Sequence, residues 1–156
     1  MENVRIFLNC EFSDLVDMNL ISIALVADNG KEFYAEVPFD ESLCNEFVKQ
    51  TVIPLLGRQA DCKRSSIDEL RSKLLAWLSQ FERVVVLYDF FGDFALLLEI
   101  FANVMPRNAI GCANIQFKIN REKKEQYFNR DGVLRHHALH DARANRYSYE
   151  PNTYFS

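Results

Sequence analysis

Short apolar runs separated by polar turns mark the beginning of the chain as a set of strands. Residues 4–8 and 20–27 are strand-like, and a third run covers 32–37. The turn between the last two contains Asn29-Gly30, which supplies the positive φ angles that a tight hairpin turn requires. We therefore expect the chain to open with an antiparallel meander of strands.

The apolar spacing then changes to the helical period. It predicts one helix that begins at Asp40 or Ser42 and ends near Val52, and a second that begins at the capping-box pair Ser66 and Glu69. The positions expected to face the core are Leu43, Phe47, Val48 and Val52 in the first helix and Ile67, Leu70, Leu74, Leu75, Leu78 and Phe81 in the second.

Strands and helices alternate in the second half of the chain. Residues 84–88 are apolar on both faces, as in a strand covered on both sides, and a helix is expected at about 93–103. The pattern predicts a last strand at 115–119, a charged surface helix or loop at 121–132 and a closing helix at about 137–146. It predicts an α/β fold with a mixed sheet, helices on both faces and a single domain over 1–156.

Composition narrows the class of protein. Hydrophobic residues make up 49% and charged residues 26% of the 156 residues, which is usual for a globular protein. The apolar stretch 84–105 contains Asp89, Asp93 and Glu99, so no membrane span is expected. No CxxC pair occurs among the four cysteines and no basic, apolar leader is visible, which favours a reduced cytoplasmic protein.

The net charge of −4 argues against tight, non-specific binding of duplex nucleic acid through a broad basic surface. It is compatible with a single strand that enters a cleft where bound cations reverse the local charge. The segment 54–65 carries Arg58, Lys63 and Arg64. A solvated loop is the favoured interpretation of this segment, and contact with phosphates is the alternative.

Polar pairs follow two of the predicted strands. Asn9 and Glu11 come directly after the first strand, and residues two apart on a strand point the same way, so their side chains should project together. A polar turn is the alternative. Asp89 and Asp93 lie where the strand 84–88 passes into a helix, and ligands tend to bind outside the carboxyl ends of strands. Helix capping is the alternative, and for Asp89 we favour it or a supporting role.

All three histidines of the chain lie in one segment beside an aspartate. His136, His137 and His140 precede Asp141. On a helix His137 and Asp141 share a face, whereas His136 can meet Asp141 only from the loop that leads into the helix. Spacing alone does not choose between the two histidines, and surface histidines on an amphipathic helix are the alternative.

Together these segments offer carboxylates, an amide and an imidazole for one site. Hard oxygen ligands suit Mg²⁺ or Mn²⁺, and two such ions can clamp the attacking and leaving oxygens of a phosphodiester. An imidazole, whose unperturbed pKa is about 6.5, is suited to deprotonating the attacking water. The pattern favours a metal-dependent phosphodiesterase.

The order of these segments resembles the signature of the DEDDh 3′–5′ exonucleases of the RNase H-like superfamily. That signature is Asp-x-Glu at the end of the first strand, an Asp at the start of a later helix and His-x4-Asp near the C-terminus. The chain is similar over nearly its whole length to a small stand-alone bacterial exoribonuclease branch known from mycobacteria. The runs that carry this similarity are IFLNCEFSDL at 6–15, LISIALV at 20–26 and HHALHDARAN at 136–145.

The resemblance implies an RNase H-like fold and a role for each residue. Glu11, Asp93 and Asp141 would bind two Mg²⁺ or Mn²⁺ ions, and His136 rather than His137 would be the general base. The implied substrate is the 3′ end of single-stranded RNA, with DNA less favoured, and the product is a nucleoside monophosphate.

The residues around the Asp-x-Glu position add a pocket and a departure from the family pattern. The family shapes its pocket for the terminal sugar and base where Phe12 and Ser13 stand, although burial of Phe12 in the core is an alternative. Asn9 occupies the place of an aspartate that bridges both metals in the family. An amide keeps an oxygen ligand but loses the negative charge, so we expect weaker metal binding, whether the substitution is natural or engineered.

Other functions and assembly states stay open at this point. The chain could be a nucleic-acid-binding module of the same fold without catalysis, or a plain α/β interaction domain. The aromatic tail, 147–156, could cover the interface of a homodimer or fold over its own core.

Overall fold

The structure is a computed structural model that describes residues 2–59 and 64–156. Its centre is a five-stranded mixed sheet in the order β3-β2-β1-β4-β5. The strands are β1 (Val4–Phe12), β2 (Leu20–Ala27), β3 (Glu32–Glu36), β4 (Val84–Tyr88) and β5 (Ala109–Asn114). The first three pair in antiparallel fashion, whereas β4 is parallel to both β1 and β5. The predicted meander and the mixed sheet are confirmed.

Helices lie on both faces of this sheet. They are α1 (Glu46–Thr51), α2 (Ile67–Leu78), α3 (Phe91–Ile100), α4 (Arg121–Phe128) and α5 (Ala138–Ser148). The main core forms where α2 and α3 cover one face, and α5 packs on β1 and β2 at the other face. The α/β class predicted from the sequence is therefore confirmed. None of the helices in the described part of the chain is long and apolar enough to cross a membrane.

Alternation along β1 separates the core from the candidate site. Ile6, Leu8 and Cys10 are buried in the main core, which also contains Leu70 and Leu74 of α2. The intervening side chains point to the other face because successive residues of a strand alternate. Asn9 and Glu11 therefore project toward the face that α5 covers.

Two strand predictions need correction. β1 continues past residue 8 because its pairing with β2 extends through Glu11, opposite Ser22, so Asn9 and Glu11 lie within the strand. The last strand is β5 rather than 115–119. It is an edge strand that is largely exposed and therefore lacks an apolar pattern, while Ile115 and Ile119 are buried beside a short 3₁₀ turn.

The helix predicted from Asp40 or Ser42 is also shorter than expected. It is interrupted after a 3₁₀ turn at Glu41–Leu43, and α1 begins only after Asn45, whose side chain accepts a hydrogen bond from the Val48 backbone. Asp40 caps the 3₁₀ turn instead. Of the positions assigned to its core face, Val48 and Val52 are buried, but Leu43 and Phe47 are exposed.

The other helix predictions agree better with the structure. Ser66 caps α2 as expected and accepts a hydrogen bond from the Glu69 backbone. Two residues of its predicted stripe, Ile67 and Leu75, are nevertheless exposed at the edge of the interface. The charged segment at 121–132 contains a helix, α4, and the closing helix is α5.

The basic loop and the tail complete the description. Arg58 and Arg64 are exposed, while Lys63 lies outside the described residues. The tail packs on its own chain, with Tyr149 against Phe7 at 5.4 Å between ring centroids. Cys10, Cys44 and Cys112 are free thiols, and Cys62 lies outside the described residues.

Candidate functional site

Strand β1 positions the first two residues of the site. Asn9 and Glu11 share the face that α5 covers, opposite Ala24 and Ser22 of β2. The register shifts between Glu11 and the next residue, and such an irregularity re-aims side chains at the end of a strand. The side-chain oxygen of Asn9 is buried and accepts no hydrogen bond from the described residues. A buried amide oxygen without a donor is costly, so this atom is open to a ligand.

Asp93 enters the site from the first turn of α3. The side chain is only 2% exposed and does not cap the helix, because the N-cap is Phe90, which makes no capping bond. The thiol of Cys10 donates to the Asp93 carbonyl oxygen at 3.8 Å, so the start of α3 is held against β1. A Cβ at Gly92 would collide with the Phe90 ring and the Met18 sulfur, so both side chains would have to shift if this residue were larger.

Asp141 completes the group from the first turn of α5, which crosses the same face of the sheet. Its carboxyl group and that of Glu11 share a hydrogen bond. Asp93 lies near both groups. Its charge raises the pKa of Glu11, and the charge of Asp141 raises the pKa of Asp93. The structure thus brings together the three carboxyl groups that the sequence predicted.

Burial favours the protonated, neutral form of these carboxyl groups. It raises the pKa of Asp93 to about 8, with the charge of Asp89 as the next cause, and the pKa of Asp141 to about 6. The pKa of Glu11 is raised well above its usual value, first by burial and then by the charge of Asp141. Near neutral pH the centre therefore retains protons unless a cation supplies compensating charge.

Of the two roles expected for Asp89, capping of α3 is wrong, whereas a supporting role in the site stays a prediction. Asp89 pairs with Lys124 of α4, at 3.3 Å between the amino and carboxylate groups. The positive charge of Lys124 offsets part of the rise in the pKa of both Asp93 and Asp141. The sequence predicts only a charged surface helix or loop for the segment that contains Lys124. A run of charged residues does not indicate which of its side chains contacts a distant carboxylate.

His136 lies in the turn that leads into α5, as its participation in the site requires. Its φ angle is 60°, in the left-handed region, so the turn aims it differently from the helix that follows. The exposed ring meets the edge of Phe47 at 4.9 Å between ring centroids. Partial burial, then the charge of Arg135, lowers its pKa below the usual value. The imidazole is therefore neutral at pH 7 and able to accept a proton.

His137 and His140 point elsewhere. The His137 ring is 2% exposed and stacks on Tyr34 at 4.9 Å between centroids, and neither ring nitrogen has a hydrogen-bond partner among the described residues. Burial lowers its pKa to about 4. The Nδ1 atom of His140 accepts a hydrogen bond from the Leu134 backbone. These contacts give both rings a packing role.

A largely apolar cavity of about 250 Å³ adjoins the acidic centre. Its lining comes from β1, the loop that follows it and α1, and consists of Glu11, Phe12, Asp14, Leu15, Asn45, Phe47, Val48 and Val52. Phe47 also contacts His136, so the cavity, the imidazole and Glu11 are contiguous. Phe47 was assigned to the core from helical spacing, and its exposure beside the site was not foreseen.

The two expected substrate contacts differ in accessibility. Phe12 is half-buried, lines this cavity and stacks on Phe90 at 5.8 Å between ring centroids. Ser13 is fully buried, and its hydroxyl group donates to the Asp17 carbonyl and accepts from Asn19. Any contribution of Ser13 to binding would act through this loop, and both contacts stay predictions.

The donor set can be compared with what a divalent cation requires. Over residues 2–59 and 64–156, no three histidine, cysteine, aspartate or glutamate side chains are already arranged to share one ion. Two of the carboxyl groups, those of Glu11 and Asp141, instead share a proton. The oxygens offered by these residues, Asp93 and Asn9 nevertheless fit a hard cation, which would replace that proton.

Comparison with known proteins adds no family assignment. No protein-family model matches the chain, and no curated protein shows significant similarity to it.

Proposed function

We propose that this chain is a metal-dependent 3′–5′ exonuclease of single-stranded nucleic acid, with RNA favoured over DNA. The observation that carries the proposal is the convergence of Glu11, Asp93 and Asp141 from three distant segments on one end of the central strand. We also propose that the fold is RNase H-like. The strand order and the switch from antiparallel to parallel pairing at β1 support that assignment.

Two Mg²⁺ or Mn²⁺ ions are the proposed cofactors, held by Glu11, Asp93, Asp141 and the amide oxygen of Asn9. When bound, such ions supply charge stabilisation for the attacking and leaving oxygens of a phosphodiester. The raised pKa values of the carboxyl groups support this role. Their ionised forms are unfavourable in the metal-free protein, and an added cation would stabilise them. The buried, unpartnered oxygen of Asn9 supports its inclusion.

His136 is the proposed general base. Its exposed ring lies beside the cavity that Glu11 lines, and its lowered pKa keeps it neutral at pH 7. A neutral imidazole can take the proton of the attacking water. Phe12 and Phe47 would contact the terminal base, and hydrolysis would release a nucleoside monophosphate from the 3′ end.

A second candidate function is a nucleic-acid-binding module without catalysis. It is favoured by Asn9, which lacks the negative charge that would hold two adjacent cations together. It also accords with the shared proton between Glu11 and Asp141, which leaves the centre satisfied without metal. The exposed imidazole of His136 counts against it, since binding alone does not need a base there.

Asn9→Asp is the variant that tests the proposal. The substrate is a 5′-labelled single strand with Mn²⁺, digested by the parent chain and by the variant. We expect a ladder that shortens from the 3′ end by single nucleotides, and a rate at least about tenfold higher for Asn9→Asp because the added carboxylate strengthens metal binding. Asn29→Asp adds the same charge in the hairpin turn, far from the acidic centre, and should leave the rate unchanged.

Metal binding separates the two candidate functions. Calorimetric titration with Mn²⁺ that shows two sites in Asn9→Asp supports the exonuclease. No Mn²⁺ site and no digestion by either chain would reject it, and retained binding of the strand under those conditions would favour the module without catalysis.

A further inference from the structure

A second cavity lies at the junction of α4 and α5, away from the acidic centre. It measures about 540 Å³ and is lined by Glu32, Tyr127, Arg130, Arg143, Arg146 and Tyr147. Three guanidinium groups face one carboxylate there, although the chain as a whole carries a net charge of −4. We propose that this cavity is a nucleotide-binding site that takes a phosphate group together with its base.

The cavity is distinct from the proposed catalytic centre, although both draw on α5, where Asp141 precedes the cavity residue Arg143 by two positions. Glu32 begins β3 at the hairpin turn, and that turn adjoins the start of β1, where Ile6 pairs with Ala27. Glu11 lies at the other end of β1, where it pairs with Ser22. The lining residues of the second cavity include none of the residues that form the acidic centre.

Arg130 is the residue of this cavity whose side chain is best positioned to bind an anion. Its guanidinium carbon lies 5.0 Å from the centre of the Tyr127 ring and 4.5 Å from that of Tyr147, and the two rings are themselves 5.5 Å apart. The rings hold the flat guanidinium group and so reduce the entropy cost of binding. Among the described residues, no carboxylate forms an ion pair with it. Its N–H donors are therefore available to an external acceptor.

The other two arginines are anchored and extend the positive surface. Arg143 forms a two-pronged ion pair with Glu32, with nitrogen–oxygen distances of 2.6 and 2.7 Å, so the one carboxylate among the described lining residues is already compensated. Arg146 donates one hydrogen bond to the Asp28 carbonyl oxygen at 3.0 Å and forms no ion pair with a carboxylate of the described residues. Its position in the last turn of α5 also complements the helix dipole, so Arg146 alone would not indicate a ligand.

A nucleotide fits this combination better than a simple anion does. Planar guanidinium groups match the geometry of phosphate oxygens, and flat aromatic or guanidinium surfaces stack on nucleobases. Tyr147 is 42% exposed beside Arg130, so part of this flat surface faces solvent. The ligand could be a free nucleoside phosphate or one nucleotide of a longer strand, and both present the same chemistry.

The test is a calorimetric titration with adenosine diphosphate in EDTA. Without metal the acidic centre offers no positive charge to phosphate, so the arginine variants below assign any binding that is measured. We expect Arg130→Gln and Arg146→Gln each to weaken binding about tenfold, because each removes charge-assisted hydrogen bonds to phosphate. Arg107→Gln, an exposed arginine outside the cavity, should have no effect. Binding that is absent, or equally affected by all three changes, overturns the proposal.

Further ligands identify what the cavity selects. Adenosine diphosphate should bind more tightly than adenosine or inorganic phosphate, and Tyr147→Leu should reduce its advantage over phosphate. Equal affinity for phosphate and adenosine diphosphate would overturn the nucleotide assignment, as would equally strong competition by an acidic peptide. A ten-nucleotide single strand that binds at least tenfold more tightly, and still depends on Arg130, would identify a strand as the source.

A variant that retains the charge distinguishes a loss of ligand contacts from misfolding of the protein. Arg130→Lys keeps the positive charge but not the flat, forked donor group. It should retain phosphate binding and lose the preference for adenosine diphosphate, with an unchanged melting temperature. Retention of the full preference by this variant would contradict the role given to Arg130. None of these measurements uses nuclease activity, so their outcome is independent of the proposed exonuclease function.

Discussion

The carboxyl groups of Glu11 and Asp141 share a hydrogen bond although they come from opposite ends of the chain. Burial raises the pKa of both carboxyl groups, so the pair holds a proton more readily than two exposed carboxyl groups would. Both groups belong to a centre that also contains Asp93, the most deeply buried of the three. The arrangement predicts how the metal-free protein responds to pH and to cations.

The first prediction concerns stability against pH in EDTA. The pKa of Asp93 is about 8 in the folded protein and about 4 in an unfolded chain, so its contribution to stability is complete below about pH 4 and is lost as the pH rises through 8. Asp93→Asn should remove this loss, on the order of a few kcal/mol between pH 5 and pH 8.5. Urea unfolding at both pH values gives the difference.

The control for this experiment is Asp68→Asn, an exposed aspartate of α2. It should change with pH as the parent does. His137, whose pKa is lowered to about 4, acts in the opposite sense, because stability from a neutral buried histidine is lost as the pH falls below about 6.5. The quantity to compare is therefore parent minus variant, and equal pH dependence of Asp93→Asn and the parent would contradict the prediction.

The second prediction is that Mn²⁺ stabilises the folded protein at pH 8. A cation relieves the repulsion among ionised carboxylates, and a ligand at a hundred times its Kd adds about 2.7 kcal/mol to the free energy of unfolding. The melting temperature should rise by roughly 5 to 10 °C in Asn9→Asp and by less in the parent. Asp93→Asn should abolish the shift. A shift of equal size in Asp93→Asn would mean that the ion binds elsewhere.

The third prediction separates the two histidines of the turn before α5. His136→Asn keeps a residue type that tolerates the left-handed backbone but cannot act as a base, so it should lower kcat at least about a hundredfold with little change in melting temperature. His137→Gln disturbs a buried ring that stacks on Tyr34, so it should lower the melting temperature while the folded fraction retains turnover. Both are measured in the Asn9→Asp background. The reverse pattern would make His137 the base.

The fourth prediction tests the cavity beside Glu11. Phe47→Ala removes an exposed ring that lines the cavity and contacts His136, and we expect KM to rise about tenfold. The effect on kcat should be smaller, because the metal ligands are untouched. Phe117→Ala removes a comparably exposed ring near the tail and serves as the matched control. No change in KM for Phe47→Ala would remove this cavity from the substrate path.

The fifth prediction concerns the fold alone. Ser66→Ala removes the side chain that caps α2 and should lower the free energy of unfolding by about 1 kcal/mol. Ser79→Ala, at the other end of the same helix, removes only a bond to the Ala76 carbonyl oxygen and should have a smaller effect. Urea unfolding measures both, and equal losses would argue against a specific capping contribution.

Local patterns in the sequence were sufficient for most of the secondary structure. The hairpin at Asn29-Gly30, the cap at Ser66 and the buried strand β4 depend on interactions between residues close in the chain, so they could be predicted. The strand β5 could not be, because an edge strand that faces solvent carries no apolar alternation. The helix α1 is shorter than the apolar spacing predicts, because Leu43 and Phe47 have core-like spacing but face solvent.

The sequence by itself determined which side chains were available for a site: Asn9, Glu11, Asp93, His136 and Asp141, in that order along the chain. Only the tertiary structure decided that Asp141 meets Glu11 on one face of the sheet, that His136 turns toward Phe47 while His137 is buried, and that Lys124 approaches Asp89. The same holds for the stacking of Arg130 on two tyrosines. The physical reason is that these contacts join residues far apart in the chain, whose approach depends on how whole helices pack on the sheet.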